Sequence, residues 1–122
     1  MTANTTVEDL FSSGRLVVDE RHRIDLDDRR VLSLTVVQLA TGVVEPPHTH
    51  PGFEILYGLS GSGHVTLDAV ATPLSTGQVV HVPEGTVKAL ANDGDEPMTV
   101  LGVLVLDRNS APFVPVIDDR SS

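Results

Sequence analysis

The sequence predicts an all-β domain, a sandwich or barrel of short strands, and three observations carry that prediction. Ten glycines and eight prolines are spread along the chain and cut it into short runs rich in Val and Leu. No interior window keeps apolar residues at i, i+3, i+4 and i+7 over the roughly ten residues that a helix requires. The apolar runs recur at the turn-punctuated spacing of a sandwich or barrel.

Thr6 is placed to cap one short N-terminal turn of helix, with Asp9 at the capping-box distance. Strands are predicted over 15–18, 31–40, 53–60, 64–68, 69–74, 78–82, 86–91 and 98–107. Between the first two, the segment 19–30 alternates in charge sign. Its plain reading is a solvated hairpin with surface ion pairs; its functional reading is an arginine clamp for an anionic substrate. Five of the eight basic residues (Arg15, Arg21, Arg23, Arg29 and Arg30) lie in this first quarter, and none lies between Val31 and Val87. Gly61-Ser62-Gly63 stands between two strands and before no helix, so it reads as a hairpin turn and not a phosphate loop. The tail from Ala111 to Ile117 carries Pro112 and Pro115, which suits an extended edge or a packed arm but no central strand.

Size and charge bound the function. A chain of 122 residues is one domain's length, and 40% hydrophobic residues are enough for a core without disulfide or metal staples. That core is aliphatic, because aromatics make up only 3% and Trp is absent. A net charge of −9 argues against nucleic acid or an anionic membrane as partner, since both call for a basic surface. With no cysteine, disulfides, zinc-thiolate sites, iron–sulfur clusters and Cys nucleophiles are excluded. The first residues show neither a basic nor an apolar leader segment, and the longest apolar run, 100–106, is far short of the roughly 18 residues of a membrane helix. The expectation is a soluble, cytoplasmic protein.

The chemistry concentrates between Gly42 and Gly61. His48 and His50 stand two apart, so on extended backbone both imidazoles point to one face. Glu54 opens the next apolar run, and the Pro51-Gly52 turn lets the chain double back and bring its carboxylate onto that face. Two imidazoles and a carboxylate suit Fe, Mn, Ni, Zn or Cu, whereas Mg and Ca prefer all-oxygen sites. Taken alone, His-x-His also fits two ordinary loop histidines. The full spacing is G-x5-H-x-H-x3-E-x6-G, from Gly42 through His48, His50 and Glu54 to Gly61. Further on, Gly77, Pro83, Gly85 and Asn92 fall in the register G-x5-P-x-G-x2-H-x3-N.

These two patterns resemble the first and second motifs of the cupin superfamily. The resemblance implies a cupin-type double-stranded β-helix, a jelly-roll barrel of two packed antiparallel sheets with its pocket inside. It identifies 1–122 as a single small cupin domain, with an N-terminal arm over 1–13, motif one over 42–61, motif two over 77–92 and a C-terminal arm over 111–122. It also implies a homodimer and a divalent transition metal held by His48, His50, Glu54 and one further histidine. At that last position this sequence has Lys88, its only lysine. Three readings of Lys88 stay open: drift at a disused position, a packed stem with its amine in solvent, or a pocket lysine with a chemical role.

A metal and a charged Lys88 repel, so two states are self-consistent. In one the metal is bound and Lys88 is neutral or turned away. In the other the metal is absent and Lys88 pairs with Glu54. His81 replaces the missing ligand only if it points inward; otherwise it is a strand or dimer-facing residue. His64 and His22 are expected at the surface. The functional expectation is a metalloenzyme acting on a small organic substrate, as an isomerase, cyclase, lyase or dioxygenase, with Lys88 and Glu54 as catalytic groups. The alternatives are a metal-free binding or regulatory cupin with a Glu54–Lys88 ion pair, and a metal-free acid–base enzyme using Lys88.

Overall fold

The computed structural model describes residues 7–50, 52–109 and 114–115. A helix α1 (Val7–Ser12) precedes ten strands: β1 (Leu16–Asp25), β2 (Arg30–Leu39), β3 (His48–Thr49), β4 (Glu54–Ser60), β5 (Ser62–Leu67), β6 (Val70–Ser75), β7 (Val79–Val82), β8 (Lys88–Ala91), β9 (Met98–Asp107) and β10 (Val114–Pro115). They form two five-stranded antiparallel sheets, ordered β1-β2-β9-β4-β7 and β10-β3-β8-β5-β6. This is the jelly-roll barrel that the motifs imply. No helix among the described residues is long and apolar enough to cross a membrane.

Strand alternation decides what faces inward. On β2 the buried positions are Val31, Ser33, Thr35, Val37 and Leu39, and on β9 they are Met98, Val100, Gly102, Leu104 and Leu106. These two strands pair along their whole length, from Arg30↔Asp107 to Leu39↔Met98. Their inner faces therefore line up in layers. Val37, Leu39, Met98 and Val100 belong to a large apolar cluster with Leu56, Val65 and Leu90, whereas Val31, Leu104 and Leu106 form a separate small one. Between the two lies a gap, set by Ser33, Thr35 and Gly102, where the barrel interior is polar.

Turns close the hairpins where the sequence punctuates them. Gly61 has φ 79°, and a Cβ there would meet the Pro97 carbonyl oxygen at 2.5 Å, so only glycine fits. The β5–β6 hairpin turns on Asp68 and Ala69 with φ of 48° and 71°, a two-residue loop with positive φ at both positions. The Asp68 carboxylate accepts the Val87 amide at 2.9 Å, which ties this turn to the approach to β8.

Several boundaries depart from expectation. Strand β1 runs on to Asp25 through a bulge between Glu20 and His22, so the hairpin foreseen over 19–30 is mostly strand and turns only past Asp25. The ion pairs are there: Arg21 with Asp19, Arg23 with Glu20 at 2.8 Å, and Arg30 with Asp27 at 3.1 Å. Strand β3 has two residues and exists through its partners, pairing with β8 on one side and β10 on the other. Val114–Pro115 is the edge strand expected of the tail. The remainder of 111–117, and the Thr6 cap, lie outside the described residues.

Candidate functional site

The polar gap is filled from both sheets. His48 on β3 sits directly opposite Lys88 on β8 in the strand register, and Glu54 enters from the other sheet as the first residue of β4. Its carboxylate fits because β9 carries glycine opposite: a Cβ on Gly102 would lie 2.6 Å from Glu54 Oε2. His50 follows β3 and is 4% exposed, and Glu45, His48, Glu54 and Lys88 are each 2% exposed or less. Five ionisable side chains are thus buried together inside the barrel.

Lys88 Nζ donates to Glu54 Oε1 at 2.9 Å and lies 4.0 Å from Glu45 Oε1. Glu45 Oε1 also accepts the Leu90 amide at 3.1 Å, while the Glu45 amide donates to the Leu90 carbonyl at 2.7 Å. The Glu45 side chain therefore stands in for one rung of the β8 ladder. His48 Nδ1 lies 3.1 Å from the Pro46 carbonyl and 3.7 Å from Glu45 Oε1. The His48 and His50 rings meet edge to face with centroids 4.9 Å apart. His50 Nε2 comes 3.3 Å from Glu54 Oε1 but out of hydrogen-bond alignment, and among the described residues neither of its ring nitrogens has a hydrogen-bond partner.

Burial and charge set the protonation states. Burial works to raise Glu54, but the Lys88 charge and the neighbouring His50 outweigh it and hold the carboxyl at about 2. Burial works to lower Lys88, and Glu45 and Glu54 together overcome it, so its pKa is raised and it stays an ammonium. Burial, seconded by the Lys88 charge, lowers His48 to about 3. The ring is neutral, and its contact with a carbonyl places the proton on Nδ1 and the lone pair on Nε2. Glu45 is pushed up by burial to about 7, against the pull of Lys88 and the Leu90 amide. At neutral pH the cluster is a Lys88–Glu54 ion pair and a neutral His48, with Glu45 the carboxyl that burial drives toward its protonated form.

This arrangement bears on whether a divalent metal fits. The carboxylate oxygen that a metal would claim is already held by an ammonium, which also supplies the positive charge. Among the described residues no three His, Asp or Glu side chains are placed to hold an ion. With Lys88 where it is, Glu54 is paired to an ammonium, and a divalent cation at His48, His50 and Glu54 would require Lys88 to withdraw.

The other candidates fall outside the cluster. His81 is exposed on β7, where its ring meets Phe53 edge to face at 5.9 Å, so it does not supply the missing ligand. His64, expected at the surface, is half-buried, with Nδ1 3.0 Å from Asp93 Oδ2. His22 is exposed. Asn92 holds structure: its amide donates to the carbonyls of Leu39 at 3.0 Å and Glu96 at 2.8 Å, and its Oδ1 accepts the Gly94 amide.

Glu45 was not singled out among the candidate residues of the sequence. A signal was available, since it is the only Asp, Glu, Lys or Arg between Arg30 and Glu54. It also edges a cleft of about 440 Å³ lined by Leu10, Arg15, Val43, Val44 and Pro46. Glu45 is the one group shared by this cleft and the buried cluster.

With this geometry in place, the comparisons are consistent. The Cupin domain family model matches residues 35–104. The rhicadhesin receptor of Pisum sativum is 30% identical over 118 residues, covering 81% of this chain and 54% of the receptor. Germin-like protein subfamily 2 member 2 of Arabidopsis thaliana is 37% identical over 76 residues, covering 57% of this chain and 35% of that protein. The chain thus spans about half or less of the length of these curated relatives. Among solved structures, the TT1209 protein of Thermus thermophilus superposes with a TM-score of 0.63 at 18% identity, covering 84% of this chain and 88% of that one. An RmlC-like cupin from Shewanella frigidimarina NCIMB 400 does so with a TM-score of 0.56 at 16% identity, covering 72% and 86%. At these identities the structural likeness speaks for the fold alone.

Proposed function

The chain belongs to the cupin domain family, and on that premise we propose that it binds a small organic molecule and acts on it by acid–base chemistry in the buried cluster around Lys88, without a metal. The observation that carries this reading is the buried ion pair, Lys88 Nζ to Glu54 Oε1 at 2.9 Å, at the position where the motif would supply a metal-binding histidine. A buried ammonium brought next to a substrate oxygen can polarise a carbonyl or hold an enolate oxygen, as a preorganised positive charge. Glu54 orients that ammonium and balances it. Glu45, 4.0 Å from Lys88 and 3.7 Å from His48, is the group placed to exchange a proton with substrate. The cleft that Glu45 edges is the approach, and its aliphatic walls with Arg15 among them favour a compact substrate. Isomerisation, cyclisation or elimination next to a carbonyl needs only these parts.

One observation favours a second reading. The two unpartnered nitrogens of His50 suit a site where His48, His50 and Glu54 take a divalent metal after Lys88 withdraws from Glu54. Such a metal would supply Lewis-acid polarisation of the substrate oxygen. Elemental analysis of untagged protein, purified with neither chelator nor added metal, separates the two. Substoichiometric metal together with loss of ligand binding in Lys88→Met supports the first reading. One metal per chain, lost in the His48→Ala, His50→Ala double variant, replaces it with the second.

A further inference from the structure

Of the five arginines gathered in the first quarter of the chain, three are held by acidic neighbours: Arg21 by Asp19, Arg23 by Glu20 and Arg30 by Asp27. Arg29 lines a surface cleft in which Asp28 and Asp107 supply the counter-charge. Arg15 differs from all of these. It lines the cleft that Glu45 edges, and among the described residues no carboxylate pairs with it. Its Nε donates to Ser13 Oγ at 2.9 Å, and Ser13 Oγ donates in turn to the Leu10 carbonyl at 3.2 Å. The guanidinium is thereby oriented through Nε, while its two terminal amino groups have no partner among the described residues.

Backbone bonds set the arginine against the rest of the cleft. The Arg15 amide donates to the Leu10 carbonyl at 3.1 Å, and the Ala40 amide donates to the Arg15 carbonyl at 2.9 Å. The second wall starts at Gly42, two residues past that junction, and runs through Val43 and Val44 to Glu45 and Pro46. Arg15 and Glu45 are the two charged residues of the lining, and Glu45 Oε1 is turned inward to the Leu90 amide. The cleft therefore offers one cation, aliphatic surface next to it, and the edge of the buried cluster beyond.

We propose that this cleft is a carboxylate subsite, in which the Arg15 guanidinium takes the carboxylate of a compact aliphatic acid whose other end lies along Val43 and Pro46 toward Glu45. The subsite rests on the reading of this cleft as the approach to the cluster, and it sets the substrate class there as a small keto acid. A planar guanidinium with both terminal amino groups open matches the two oxygens of a carboxylate. It is a local exception in a chain of net charge −9, so an anion repelled elsewhere is held there. The aliphatic walls add apolar burial that a bare inorganic anion cannot use. A volume of about 440 Å³ is ample for such a molecule. A second carboxylate would meet aliphatic walls and the Glu45 carboxyl, so monocarboxylates are preferred to dicarboxylates.

The probe is 4-oxopentanoate, which carries its carboxylate and its ketone toward opposite ends. Titrated into the isotope-labelled full chain, it is expected to move the amide signals of Arg15, Val43, Val44 and Glu45. Its uncharged methyl ester and inorganic phosphate are each expected to bind at least about tenfold more weakly. Arg15 is exposed, so Arg15→Gln leaves the core intact; it is expected to lower the affinity for the acid to that for the ester. Arg15→Lys keeps the charge without the fork and should restore part of the loss. Equal binding of acid and ester, or undiminished binding of the acid in Arg15→Gln, overturns the proposal. So does phosphate binding as tightly as the acid, which marks a general anion site. Deuterium incorporation from heavy water at the carbons flanking the ketone, above the buffer blank, reports the acid–base reading separately. It requires a proton taken from carbon and a deuteron returned, which carboxylate binding alone does not provide. Arg15-dependent binding without exchange upholds the subsite and removes the acid–base reading. Exchange that Arg15→Gln leaves untouched upholds that reading and overturns the subsite.

Discussion

Gly102 is the space into which the Glu54 carboxylate folds. A Cβ at Gly102 would stand 2.6 Å from Glu54 Oε2 and 3.3 Å from Leu104 Cδ1. The carboxylate cannot swing aside cheaply, because its other oxygen holds the Lys88 ammonium. Gly102→Ala is therefore expected to destabilise the protein by about 1–3 kcal/mol, the usual cost of overpacking, although alanine otherwise suits a strand better than glycine. Urea unfolding of the variant checks this. An unchanged midpoint would mean that Glu54 has room to move and that the ion pair is loosely held.

The ion pair itself predicts a strongly non-additive cycle. Lys88→Met leaves Glu54 buried without its counter-charge and is expected to cost about 3–5 kcal/mol, whereas Glu54→Gln leaves Lys88 with Glu45 at 4.0 Å and is expected to cost less. The double variant removes both charges and should recover most of that loss. Lys88→His, which restores the family pattern, is expected to tighten divalent metal binding at least tenfold, about 1.4 kcal/mol, in a competition titration. Equal or weaker affinity would mean that His48, His50 and Glu54 do not form a metal site that a fourth histidine completes.

Stability should vary with pH in three regimes. Glu54 is held at about 2 against 4.5 unfolded, so its contribution is complete above 4.5 and lost as pH falls toward 2. His48 is held at about 3 against 6.5, so the unfolded chain binds the extra proton in between and stability rises across that window. Glu45 works the other way. Raised to about 7 from 4.5, it makes the native state the better proton binder, and its contribution is lost as pH rises from 4.5 through 7. The result is a steep rise up to about pH 4.5, near-cancellation up to about 6.5, and a shallow loss to about 7. Glu45→Gln should remove the opposing slope, so that stability climbs all the way to pH 6.5. Denaturant midpoints across pH 3 to 8 read this directly, and parallel curves for both proteins would contradict it.

Ala69 offers a stabilising substitution. Its φ of 71° is costly for a residue with a Cβ, by about 1–2 kcal/mol, and glycine removes that strain while adding about 0.5–1 kcal/mol of backbone entropy loss. Ala69→Gly, which creates the favoured Asp-Gly loop, is expected to gain about 0.5–1 kcal/mol. Thermal unfolding measures the gain, and a lowered midpoint would refute it.

The barrel was legible wherever burial alternates cleanly along a strand. Strand β9 has the predicted bounds, 98–107, and β2 matches to within one residue, because their inward and outward positions differ in size and polarity. The far half of β1 was not legible: its outer face is charged, and it is strand only because β2 offers a ladder up to Asp25↔Val31. The two-residue β3 has no propensity of its own and is held by register. At the site, spacing brought His48, His50 and Glu54 to one face, and the resemblance to the second cupin motif added Lys88. Glu45 stood out only as the one charged residue between Arg30 and Glu54; its partners were not legible, because its position depends on a rung of the β8 ladder that it replaces. That is a tertiary event with no local pattern.

Lys88 is the only lysine in the chain, and it is 1% exposed. Apart from the terminal amine, the folded protein therefore offers no nucleophilic nitrogen of this kind to acylating reagents, lysine-directed cross-linkers or enzymes that conjugate through lysine. Any such modification of Lys88 has to wait for the barrel to open. Where reclosing outpaces the reagent, the rate of its acylation is the opening equilibrium multiplied by the rate for a free amine. One mass-spectrometric time course would then report the free energy of exposing the interior, with no added probe and no background from other side-chain amines.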